Sequence, residues 1–152
     1  MPEPAFSVSQ ADWEQDKTRL REIRRQVFIF EQNVPQKLEW DNKDDTALHV
    51  IAIDAKGHPI GTGRLSIQGQ IGRMAVLAAW RGRGVGSALL EHLLKIADQA
   101  AVMPPLYLNA QQNAIPFYQQ HGFVPEGKLF IEAGIPHQRM SRKRDATVGQ
   151  PA

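Results

Sequence analysis

What most limits how this chain can fold is the run Ile71 to Ala97, IGRMAVLAAWRGRGVGSALLEHLLKIA, where an apolar stretch meets a glycine-rich turn and then a helical pattern. Ile71 to Leu77 is apolar enough for a buried strand. Val85, Leu89, Leu93 and Ala97 recur four residues apart, and Leu90, Leu94 and Ile96 widen the stripe, as in an amphipathic helix. Between the two, Arg81-Gly82-Arg83-Gly84-Val85-Gly86 requires a tight strand-to-helix turn. The first amides of a helix have no carbonyl partner and lie at the positive end of its dipole. Glycines let an anion approach that backbone closely, and two arginines add charge beside it. The segment reads as an anion cradle; the plainer alternative is a turn with solvated arginines.

Two common phosphate signatures do not fit. Ser87 stands where a dinucleotide-type G-x-G-x-x-G would need its third glycine, and no Gly-Lys-Ser/Thr follows for a P-loop.

With 152 residues, 42% hydrophobic and 22% charged, the chain suits one globular domain with a sizeable core. A net charge of +2 is too small to suggest a nucleic-acid partner, and the absence of cysteine removes disulfides, thiolate metal sites and a cysteine nucleophile. No apolar run approaches the roughly 18 residues of a membrane span, and MPEPAFSVSQ lacks the pattern of a signal peptide. A cytoplasmic location is expected.

Taken in order, Phe6 to Ser9 reads as a short strand, and Ser9-Gln10-Ala11-Asp12 as a capping box opening a helix. That helix carries Trp13, Leu20, Ile23, Val27 and Phe30 on one side, with Arg19, Arg21, Arg24 and Arg25 on faces read as solvated. Glu39 to Asp45 reads as an exposed acidic loop; Lys43 and the lack of a glycine turn argue against calcium. Leu48–Ile53 and Ile60–Ile67 are strand-like around an Asp54-Ala55-Lys56-Gly57 turn, so three antiparallel strands lead into the glycine loop. Pro104 and Pro105 block continuation of the long helix. Leu106–Asn109 is a short strand, Asn113 to about His121 a small helix stopped by Gly122, and Leu129–Glu132 and His137–Ser141 the last strands. The polar end after Arg144 is expected to be disordered, leaving residues 1–144 as a single domain. This order predicts a mixed α/β, α+β-like sheet with helices on both faces.

The loop matches R-x-x-G-x-G/A, and Asn113-Ala114-Ile115-Pro116-Phe117-Tyr118-Gln119-Gln120-His121-Gly122-Phe123 matches N-A-x-x-F-Y-x-x-x-G-F downstream of it. Together they resemble the two cofactor signatures of the GNAT acetyltransferases. Val27 to Asp41, Ile71-Gly72-Arg73 and Gly134-Ile135-Pro136-His137 are similar to a small bacterial branch of that superfamily whose acceptors are mostly unassigned. The likeness spans about Ile23 to Met140. It implies a mostly antiparallel central sheet of six to seven strands, splayed in the middle, where the pantetheine arm of acetyl-coenzyme A lies like an extra strand. It implies cofactor contacts at Met74, Ala75 and Val76, at Arg81, Gly82, Arg83, Gly84, Val85, Gly86 and Ser87, and at Asn109, Asn113, Phe117 and Tyr118.

Acetyl transfer to an amine passes through a tetrahedral oxyanion, which a backbone amide at Met74–Val76 can stabilise. A phenol can protonate the departing thiolate, and the resemblance puts Tyr118 in that general-acid position. The base stays open: Glu31 and His49 are candidates on the acceptor side, His137 is a third, and a water chain is the alternative. No histidines have metal-ligand spacing, so no metal is expected. The expected activity is acetyl-CoA-dependent N-acetylation of a small-molecule primary amine, with homodimerisation expected by analogy. Rival readings are a non-catalytic CoA-binding sensor, a protein or peptide amine acetyltransferase, and a nucleic-acid module built on the arginine-rich helix.

Overall fold

The computed structural model describes residues 5–100, 102 and 105–142. Pro104 and the C-terminal tail for which disorder is expected lie outside the described residues. Seven strands form one open sheet: β1 (Phe6–Ala11), β2 (Leu48–Asp54), β3 (Pro59–Leu65), β4 (Gln70–Val76), β5 (Leu106–Gln111), β6 (Val124–Glu132) and β7 (Ile135–Arg142). Their spatial order is β1-β2-β3-β4-β5-β7-β6, and every pairing is antiparallel except β4 with β5. Short turns can join antiparallel neighbours, whereas a parallel pair needs a crossover. Here the crossover is the glycine loop and α3 (Val85–Gln99), so the sheet changes direction where the anion cradle was read.

Helices cover both faces. Leu89, Leu90 and Leu93 of α3 are fully buried against Val50, Ala52, Ile60, Leu65 and Ile71. The helix lies close because β3 carries glycine beneath it. A Cβ at Gly63 would come within 2.7 Å of the Met74 sulfur and 2.9 Å of Leu93 Cδ1. On the opposite face, α1 (Trp13–Arg24) packs Trp13, Leu20 and Ile23 over Ala11, Ile51 and Ala75. No helix among the described residues is long and apolar enough to cross a membrane.

Three local expectations are corrected. β1 continues to Ala11, paired with His49, so the helix cap is Asp12 rather than Ser9; its carboxylate accepts from the Glu14 amide at 3.1 Å. After Arg24 the chain widens into a π-helical turn, Arg25–Glu31. The extra residue per turn shifts the apolar stripe, leaving Phe30 66% exposed while Val27 stays buried. The charged segments are also not simply solvated. Arg24 and Glu39, the latter in α2 (Gln36–Glu39), are each 1% exposed, and Asp44 is buried with them. Arg21 lies over the Trp13 and Trp40 rings, whereas Arg19 and Arg25 make surface pairs with Asp16 and Glu22.

Candidate active site

β4 and β5 pair only at Gln70–Tyr107 and Ile71–Leu108 before separating. The cause is local to β4. Arg73 and Met74 together oppose the single residue Gly63, and Arg73 takes the left-handed backbone conformation at φ 49°. This bulge bends the strand away from its parallel neighbour. A cavity of about 360 Å³ opens at the split, lined by Gly72, Arg73 and Met74 from β4 and by Leu108, Asn109 and Gln111 from β5. Phe28, Gln32, Val34 and Leu38 close one side; Ala133, Ile135 and His137 of the last hairpin close another. Tyr118, on α4 (Ile115–Gln120), completes the lining and is 8% exposed. Burial raises its phenol above the ordinary tyrosine value, so the group keeps its proton.

The glycine loop ends beside this cavity. Gly84 is the N-cap residue of α3 at φ 86°, a conformation that favours glycine, and no side chain caps the helix. The first repeating helical bond runs from Ala88 N to Gly84 O at 3.1 Å, so the amides of Val85, Gly86 and Ser87 precede the ladder. A Cβ at Gly84 would meet no atom within 4 Å, which leaves room above those amides. Phe117 links the start of α3 to the cavity: its ring lies 3.5 Å from where a Gly86 Cβ would be and meets the Tyr118 ring edge-on, centroids 5.0 Å apart. Ser87 Oγ lies 3.2 Å from His121 Nε2.

The residues singled out in the sequence fall into two groups. Met74, Asn109, Tyr118 and His137 line the one cavity. Ala75 packs with the α1 core, Val76 directs its carbonyl to Arg81 Nε at 2.9 Å, and Asn113 is exposed in the short turn just before α4. Glu31 is not among the lining residues; Arg81 binds it through both terminal nitrogens at 2.5 and 2.7 Å. That hydrogen bond, against a smaller opposing effect of burial, holds its carboxyl below the usual range, which disfavours proton uptake. Arg81 thus meets carboxylate and carbonyl at once, and Arg83 lies over the Trp80 ring at 4.9 Å. His49 is also removed from the cavity. It stacks on Trp13 with centroids 4.8 Å apart, Nε2 lies 2.9 Å from Asp44 O, and burial lowers its pKa, so it is a neutral core histidine. Among the described residues, no group of three or more His, Asp or Glu is placed to hold a metal ion.

Sequence reasoning missed a charge network, of which Glu39 and Arg73 line the cavity. Arg24 binds Glu39 at 2.6 and 3.0 Å and Asp44 at 2.8 Å; Arg64 binds Asp44 at 3.0 Å and Asp41 at 2.8 and 2.9 Å. Arg73, on the bulge, donates to the carbonyls of Leu38 and Glu39 at 3.0 to 3.2 Å and to Asp41 at 3.1 Å. The network fastens the segment carrying Leu38 and Glu39 to β4, across the cavity from β5. One signal was available: Arg24 follows Leu20 by four and precedes Val27 by three, which puts it on the buried stripe.

Known proteins share this sequence pattern and fold. The family model of the acetyltransferase (GNAT) domain matches residues 9–144. The uncharacterized N-acetyltransferase YjcF of Bacillus subtilis is 37% identical over 124 residues, covering 79% of this chain and 87% of that protein. Crystal structures of an acyl-CoA N-acyltransferase from Pseudomonas aeruginosa and of Escherichia coli ElaA superpose with TM-scores of 0.80 and 0.81 at 29% and 27% identity. They cover 90% and 91% of this chain, and 99% of each of those chains is matched. The split sheet, the uncapped helix start and these matches lead to one conclusion: the chain belongs to the GNAT acetyltransferase family, whose activity is acyl transfer to an amine.

Proposed function

We propose that this protein moves an acetyl group directly from acetyl-CoA to the primary amine of a small-molecule acceptor. The observation that carries the reading is the continuity from the α3 start through Phe117 to Tyr118 and the split between β4 and β5. The diphosphate fits the open amides of residues 82–87. Arg81 contributes indirectly, by holding the end of β4 to Glu31. The pantetheine arm fits the unpaired edge of β4 beyond Ile71, which needs a hydrogen-bonding partner, and its acyl group then reaches the cavity near Met74. A β4 amide serves the oxyanion, and Tyr118 gives its proton to the leaving sulfur. Asn109 and Asn113 border the cofactor path. This is cytoplasmic chemistry that uses no metal.

Calorimetry with CoA and acetyl-CoA, followed by thiol release over a panel of primary amines, tests the proposal. Tyr118→Phe is expected to bind acetyl-CoA like the wild type and to lower kcat by about 10²-fold or more. Binding without thiol release from any amine favours a CoA sensor, and failure of wild type to bind CoA overturns both.

A further inference from the structure

Resting on the acetyl-transfer reading, we infer that His137 is the general base, acting through Nε2 on the acceptor nitrogen. Glu31 and His49, the other candidates, are tied up away from the cavity, whereas His137 is 8% exposed and lines it with Tyr118. Its Nδ1 lies 2.6 Å from the carbonyl oxygen of Ile135. A carbonyl only accepts, so Nδ1 carries the proton and the neutral ring has its lone pair on Nε2. Nε2 has no hydrogen-bond partner among the described residues. The ring is held flat against Phe130, centroids 5.8 Å apart and planes 25° apart, and its backbone is held between β5 and β6 opposite Gln111 and Phe130. A fixed tautomer, a fixed ring plane and a lone pair serving a cavity are what a base needs before its pKa matters.

The step balances. The acceptor nitrogen's lone pair forms the C–N bond to the thioester carbonyl carbon, and the carbonyl π pair moves to oxygen. Nε2 of His137 takes one proton from that nitrogen. The oxygen pair re-forms the C=O bond, the C–S bond breaks with its pair on sulfur, and Tyr118 protonates that sulfur. The imidazolium loses its proton to solvent, and tyrosinate regains one from it. The other ionisable groups on this cavity are Glu132 of β6, Glu39 of α2 and Arg73 of β4. Glu39 is committed to Arg24 and Arg73, leaving Glu132 as the carboxylate to be controlled for.

Two variants separate catalysis from packing. His137→Asn keeps an amide N–H where Nδ1–H meets Ile135 but removes Nε2, and Glu132→Gln controls for the neighbouring carboxylate. Thiol release is followed against pH with acetyl-CoA and whichever of spermidine, glucosamine and alaninamide wild type uses fastest. The expected result for His137→Asn is a kcat lower by about 10²-fold, little change in KM for acetyl-CoA, loss of the acidic limb, and partial rescue by free imidazole. Glu132→Gln should retain that limb. Imidazole ¹⁵N shifts of wild type should show Nδ1 protonated and Nε2 bare. A His137→Asn enzyme with wild-type kcat and acidic limb overturns the assignment, as does an Nε2–H tautomer. If wild type fails to bind acetyl-CoA in calorimetry, the acetyl-transfer reading itself has failed, and that result is distinct from both.

Discussion

On one face of the sheet α3 buries leucines over aliphatic strand residues; on the other, α1 ends in a cluster of three arginines and three carboxylates. Both faces exclude water, but by different physics. Aliphatic burial is non-directional and insensitive to pH. A buried ion pair is costly to desolvate and valuable only when geometry is good, so it specifies position more than it adds stability. The difference matches what each face must hold. On the proposed reading, α3 has only to present its first amides from a firmly seated helix. The α1 face has to keep a short segment, Leu38 to Asp41, at a set distance from β5, and Arg73 does so by binding backbone carbonyls as well as carboxylates.

The largest expected effect comes from opening the charged face. Arg24→Ala removes the partner of Glu39 and Asp44 and should destabilise by about 3–5 kcal/mol in urea unfolding, because buried carboxylates lose their counter-charge. A loss under about 1 kcal/mol would show that water enters the cluster freely and would end the contrast between the faces. Leu93→Ala, on the other face, should cost about 3 kcal/mol through lost burial and an unfilled cavity.

The pH dependence then sharpens the contrast. Burial acts to raise Asp41 and Asp44, but hydrogen bonds and charge from Arg64 and Arg24 outweigh it and hold both carboxyls below their ordinary range. In acid the unfolded chain therefore binds more protons than the native protein. The stability these groups contribute is present above the ordinary carboxylate pKa of about 4 and lost as pH falls below it. The melting temperature should drop by several degrees between pH 5 and pH 3. Leu93→Ala should fall in parallel with wild type, and Asp41→Asn should fall less steeply. Equal slopes for wild type and Asp41→Asn would place the acid sensitivity elsewhere.

The two faces also differ in how much the sequence disclosed. Val85, Leu89 and Leu93 repeat every four residues, and the glycine loop stands directly before them, so α3 and the open amides at its start needed only local information. Tyr118 and the sheet's splay were reached through resemblance to a family, which fixes relative positions that spacing alone does not. The charge network was misread because a charge does not name its partner. Arg24, Glu39, Asp44, Arg64 and Arg73 come from five separate segments, and only sheet register and the β4 bulge bring them together. Phe28 reached the cavity, and Phe30 left the stripe, through a π-helical turn that period-3.6 reasoning does not anticipate.

The smallest expected effect concerns a neutral tie spanning the same cavity. Gln32, after the π-helical turn, and Gln111, at the end of β5, exchange side-chain hydrogen bonds of 2.8 and 3.4 Å, and both line the cavity. Each amide is half-buried, so truncation lets water take the vacated partner, and Gln32→Ala should cost only about 1 kcal/mol. The two single truncations break the same pair, so the double variant should cost less than their sum, by roughly 0.5 kcal/mol or more. An additive cycle would show the bonds to be too weak to couple. In the coupled case β5 is joined to the segment after the π-helical turn by a contact weak enough to open for a ligand, while the Arg73 network holds Leu38 and Glu39 to β4. The tie should then appear in the acceptor KM before it appears in kcat, because it borders the cavity without reaching the nitrogen that reacts.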